Sequence, residues 1–163
     1  MGRRGKMNNN IKTKGTVERI IKYSDGRTET TTIENTVLLT GQMALAASLA
    51  GLFGDHYDYF IRYMVFGSGG MADGQTTRFV PVVQNKLFAP IGGATKGISA
   101  VIDPNIRTQV VFSVMLDFGD VNTDISEMAL VMNNGDLYSM TTFPTLTKNQ
   151  NMQITWNWRL SFI

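Results

Sequence analysis

The chain has 163 residues, of which 43% are hydrophobic and only 17% charged, below the roughly 25% charged content of an average soluble protein; that length suits one compact domain. It has no cysteine and a single histidine, His56, which argues against a disulfide framework, a thiolate metal site and histidine- or cysteine-dependent nucleophilic catalysis. The net charge of +2 divides unevenly: Arg3, Arg4, Lys6, Lys12 and Lys14 stand in the first fourteen residues without an acid, leaving ten basic against thirteen acidic side chains in the rest.

Residues 1–14 read as an extended basic arm ahead of a single β-rich domain, 15–163. The arm is too poor in apolar groups to order by itself. From Ile11 to Thr32, polar and β-branched residues alternate around Asp25-Gly26, the pattern of a hairpin. The period then changes. Val37, Leu38, Met43, Ala44, Ala47 and Leu49 fall at helical spacing and predict one helix over about residues 36–50, with Asn35 or Thr40 as N-cap and Gly51 as a left-handed stop.

An aromatic and β-branched run, Tyr57 to Phe66, predicts a buried strand entering a Gly67–Gly70 turn. Val80 to Phe88 allows a short irregular strand, and Pro90 to Gly97 reads as a glycine-rich connection. Ser99–Ile102 and Thr108–Phe118 follow as strands, the second well enough alternated to be central. The C-terminal forty residues predict a hairpin, ISEMALV and LYSMTTF joined at Asn133–Asp136, and a closing strand, ITWNWRLSFI. About eight short strands and one helix predict a mainly β fold, a sandwich or barrel. The longest apolar helical stretch, near Leu45 to Leu52, is too short for a bilayer, which needs about 20 apolar residues. The basic start is followed by asparagines, not an apolar signal core. These features fit a soluble protein made in the cytoplasm, without membrane contact.

Candidate chemistry is sparse. His56 lies between Asp55 and Asp58, but close neighbours in sequence do not readily converge on one ion, and a polar loop histidine is the plainer reading. Asp120, Asn122 and Asp124 match part of a calcium-loop spacing, yet Ile125 stands where that loop needs glycine and Val131 where it needs glutamate, so a solvated turn is expected. Gly67–Gly70 lacks the lysine of a phosphate loop. No cofactor or metal is called for. Trp156 and Trp158 share one face of the last strand and are expected in the core or a subunit interface, since a carbohydrate platform needs exposed coplanar rings. Arg3, Arg4, Lys6, Lys12 and Lys14 suit an arm that docks on an acidic protein neighbour. Direct nucleic-acid contact is the weaker reading, because five charges without interleaved aromatics give only salt-sensitive, sequence-blind attraction.

Several segments together resemble tailed-phage virion proteins related to the tail-collar fibre family. They are NTVLLTGQ (35–42), YMVFGSGG (63–70), ISEMALV with its NGDLY turn (125–138), FPTLTKN (143–149) and ITWNWRLSF (154–162). In that group an I-x-E-x-(A/G)-L pattern precedes a short (D/N)-G-x-L turn, then phenylalanine or proline, a lysine and an alternating last strand. Ile125, Glu127, Leu130, Gly135, Leu137, Pro144 and Lys148 stand in those places. The resemblance runs from Asn35 onward and rests on structural turns, not reactive groups.

What it implies is a non-enzymatic virion building block present in many copies, partnered by other virion proteins and by itself, with trimers common in such groups. Unlike longer fibre proteins the chain ends at Ile163 without a shaft or receptor-binding tip. That favours a tail, collar or baseplate adaptor, with capsid decoration or a head fibre as the alternative and a carbohydrate- or host-surface-binding module behind them.

Overall fold

The computed structural model describes residues 12–51 and 59–163. Among these residues ten strands form two five-stranded antiparallel sheets, and one short helix accompanies them, giving a β-sandwich-like domain. In the first sheet β1 (Thr13–Tyr23) lies between β2 (Thr28–Glu34) and the last strand, β10 (Met152–Phe162). Beyond β10 come β7 (Gln109–Leu116) and the edge strand β6 (Ser99–Ile102). The second sheet runs β3 (Thr36–Val37), β9 (Leu137–Thr147), β8 (Asp124–Met132), β4 (Ile61–Gly67) and β5 (Pro90–Gly97).

The period-two pattern of β10 decides where the core lies. Met152, Ile154, Trp156, Trp158 and Leu160 are buried while the residues between them are partly exposed. They meet Val17 and Ile21 of β1, Phe112, Val114 and Leu116 of β7, and Met64, Phe66, Met128, Leu130 and Phe143 from the second sheet. Trp156 is central: its ring centroid lies 5.4 Å from that of Phe66 and 5.5 Å from that of Phe143, both tilted. The second sheet is covered on its outer face too, where Leu38, Val80 and Leu87 pack over Ala129, Leu137 and Met140. β8 is therefore buried along nearly its whole length, Ser126 and Glu127 included, with no alternation of burial.

Three local expectations are corrected. The helix, α1, spans Leu39–Leu49, because Thr36 and Val37 pair with Met140 and Ser139 of β9. Neither Asn35 nor Thr40 caps it: Leu38 occupies the N-cap position without a side-chain bond, the Leu39 N–H donates to Val82 O at 2.7 Å, and the Thr40 hydroxyl donates to Leu137 O at 2.5 Å. Gly51 does adopt the left-handed conformation, with φ 68°. Pro90–Gly97 is no connection but strand β5, paired with β4 through its backbone. Val80 to Phe88 forms no regular strand; it crosses the second sheet and inserts Val80 and Leu87.

The connection between β9 and β10 is short, so the 24–27, 117–123 and 148–151 turns share one end of the sandwich. At the other end lie the start of β1, the end of β10 and the 133–136 hairpin. There α1 packs on β9 and sends Ala44 into the main core, while Gln42 and Leu45 line a cleft together with Thr13 and Tyr138. Gly41 permits this close approach, since a Cβ there would sit 2.3 Å from Tyr138 O.

Candidate assembly surface

The helix that closes this end has no charged residue in its eleven positions, and only Gly41 and Ala44 are buried. Met43 is 61% exposed and Leu49 83%, with Leu39 and Leu45 also open to solvent. An ordinary surface helix turns a charged and polar face outward; here Gln42 and Ser48 share the exposed surface with large apolar side chains. The exposed Val82 continues this surface at the N-terminal end of α1, where its carbonyl accepts from Leu39. Between α1 and the 133–136 hairpin a cleft of about 270 Å³ is lined by Met43, Ala47 and Met132 among others. The opposite end is polar, with the Asp25–Arg27 pair at 2.7 Å and the Lys96–Asp120 pair at 3.1 Å.

The basic segment joins the domain at the helical end. Arg3, Arg4 and Lys6 lie outside the described residues. Lys12 exchanges backbone hydrogen bonds with Ile163, at 2.6 and 2.8 Å, and Lys14 pairs with Ser161 inside β1. Lys12 and Lys14 are thus tied to the sheet, and Thr13 lines one cleft with Gln42 and Leu45 of α1.

Trp156 and Trp158 are fully buried, which removes both rings from any exposed stacking platform. Their indoles are treated differently. With its amide turned to suit both neighbours, Asn35 accepts from Trp158 Nε1 at 3.2 Å and donates to Gly15 O, whereas Trp156 Nε1 has no acceptor.

The motif residues Glu127 and Lys148 are the two fully buried charged side chains among the described residues. Glu127 Oε1 accepts from the backbone N–H groups of Gly69 at 3.1 Å and Ala89 at 2.7 Å, and Oε2 accepts from Phe88 at 2.9 Å. Beside it the Ser126 hydroxyl accepts from Gly70 N–H at 2.9 Å. Gly70 must be glycine, because a Cβ would lie 1.8 Å from Ser126 O. The Gly67–Gly70 turn is thereby stitched to β8 and to the entry of β5; the carboxylate is held by oriented N–H groups, as an anion is in a backbone nest.

Lys148, 2% exposed, is the complement. Its ammonium donates to Asp117 O at 2.7 Å and to Asn122 Oδ1 at 2.8 Å. Burial lowers its pKa, with Asp120 and Asp117 acting in the opposite direction. The acidic stretch read as a partial calcium loop is accordingly gathered around a cation that the chain itself supplies. Lys96 neutralises Asp120, whose carboxyl is held below its ordinary value by the Asp117 N–H and by that lysine. Val121 there takes a left-handed φ of 49°. Among the described residues no three His, Cys, Asp or Glu side chains group to hold a metal ion. His56 lies outside them.

No protein-family model, curated protein or solved structure matches this chain.

Proposed function

We propose that the chain is a non-enzymatic structural subunit of a tailed-phage particle, part of the tail, collar or baseplate, that works by packing against copies of itself and other virion proteins. The observation that carries this reading is the uncharged helix α1, open to solvent at the end of the sandwich where the basic N-terminal segment joins. Full burial of a Leu or Met side chain is worth about 1.5–3 kcal/mol, so withdrawing Met43 and Leu49 from water alone offers a few kcal/mol to an interface. Depletion of charge is the mark of interface centres, above all in homo-oligomers. The motif positions Glu127 and Lys148 support the same reading, because both are spent on internal turns. Capsid decoration is the alternative placement, served by the same surface.

The test has two parts. Sedimentation velocity over a concentration series should give a discrete oligomer that Leu49→Asp dissociates without loss of the β-sheet circular dichroism. In particles, removing residues 1–11, which leaves β1 intact, should reduce incorporation. A wild-type chain that stays monomeric at every concentration and is absent from purified particles would refute the proposal.

A further inference from the structure

Arg19 stands where a β-sandwich does not ordinarily keep an arginine. On β1 it shares a face with Val17 and Ile21, both buried in the core, and its cross-strand partner is Trp156. The guanidinium carbon lies 5.7 Å from the centroid of the Phe143 ring and 5.8 Å from that of Trp156, so two aromatic faces hold it. Arg19 is half-buried, and the fold supplies acceptors both for the exposed Arg27, Arg62 and Arg78, in Asp25, Asn133 and Gly69 O, and for the half-buried Arg159, in Glu18. Arg19 Nε is buried with no acceptor. Glu29, on the same face of the neighbouring strand β2, acts on it through space but forms no ion pair within 4.0 Å.

The second orphan sharpens the point. Among the described residues the two buried side-chain polar atoms without a hydrogen-bond partner are Arg19 Nε and Trp156 Nε1. Both are donors, and they belong to one cross-strand pair. Each unpaired buried donor is destabilising, and burial also works against the guanidinium charge. A sequence that wanted only packing would place a methionine or leucine here, a change that is often neutral or stabilising for buried charges. Two unpartnered donors on one cross-strand pair, one of them cationic, are the complement of an anionic acceptor.

We propose that Arg19 and Trp156 form a receptor for a carboxylate. A carboxylate is favoured over phosphate or sulfate on two grounds. Its planar pair of oxygens matches the guanidinium fork, and its single charge is less opposed by Glu29. The carboxylate comes either from a small carboxylic acid or from an acidic side chain of a second copy.

Proton–nitrogen correlation spectra of the full chain test this, since the Arg19 Nε–H and Trp156 Nε1–H each give a resolvable signal. With sodium acetate added at constant ionic strength, both should shift together and saturably, while the Trp158 indole, already bonded to Asn35, stays in place. If instead the two signals move with protein concentration in the absence of acetate, the carboxylate belongs to a second copy. Arg19→Met should retain the melting transition and lose the Trp156 response. No shift with acetate or with concentration would leave a bridging water as the only acceptor and overturn the proposal. An equal shift with sodium chloride or sulfate at matched ionic strength would overturn it as well.

Discussion

Replacing Glu127 by glutamine keeps the shape of the side chain and removes half of its capacity to accept. The carboxylate serves three N–H donors with two oxygens, Gly69 and Ala89 on Oε1 and Phe88 on Oε2. In Glu127→Gln the amide oxygen can replace Oε1, and the NH2 group then faces the Phe88 N–H, donor against donor. Two bonds fall from charge-assisted strength, about 1.5–3 kcal/mol each, toward the 0.5–1.5 kcal/mol of neutral ones. A third is lost, leaving a buried N–H at a cost of about 1–3 kcal/mol. The desolvation of a buried charge is relieved in return, which trims the sum. The expected net loss is about 3–5 kcal/mol. For a chain of this size each kcal/mol moves Tm by about 2–4 °C, so a thermal melt should fall by roughly 6–20 °C. Amide hydrogen exchange should quicken at Gly69, Phe88 and Ala89 before it does in β10. A loss under about 1 kcal/mol, or exchange that quickens uniformly, would refute the assignment of Glu127 as the pin of the Gly67–Gly70 turn.

Lys148→Met should destabilise by about 1–3 kcal/mol, because two charge-assisted bonds are lost while volume is kept and the exposed Asp117 and Asn122 regain water. The pH dependence has a definite sign. The folded-state pKa of Lys148 lies below its unfolded value, so between the two the unfolded chain binds the additional proton and wild-type stability gains on the variant as pH rises; denaturant melts of both proteins from neutral to alkaline pH measure the gap. Gly70→Ala cannot be accommodated without displacing β8 from the turn, and should abolish the cooperative melt or lower it more than Glu127→Gln does. Leu49→Asp, by contrast, changes a side chain that is largely exposed and should leave the monomer's Tm within a few degrees while weakening self-association at least about tenfold, some 1.4 kcal/mol.

Strong periodicity and turn chemistry were readable in advance. The alternation of β10 and the Gly135 turn, with its φ of 93°, predict the C-terminal hairpin and closing strand correctly. β5 escapes such a reading because Gly92, Gly93 and Gly97 give it poor strand propensity; it exists through backbone pairing to β4 at a sheet edge. The helix boundary is misplaced because Val37 and Leu38 continue an apolar helical spacing while serving other purposes, one in β3 and the other under the outer face of the second sheet. The partners of Glu127 are far away in the chain, and those of Lys148 lie across a hairpin, so neither side chain could be distinguished from a turn marker. Arg19 did leave a signal. Strand parity alone places it between Val17 and Ile21, a cation on the apolar side of β1.

The pairing of β1 with β10 joins the two extremes of the chain along eleven residue pairs, from Thr13 opposite Phe162 to Tyr23 opposite Met152. A nascent polypeptide therefore cannot complete the first sheet while its last strand is still inside the ribosome. β1 and β2 must wait as an isolated hairpin, which is marginal by itself, until β10 has emerged and fills the place between β1 and β7. Completion of the first sheet is consequently governed by long-range closure. A prematurely terminated product would lack the central strand of the first sheet and expose two unpaired edges, a species suited to aggregation and to quality-control proteolysis.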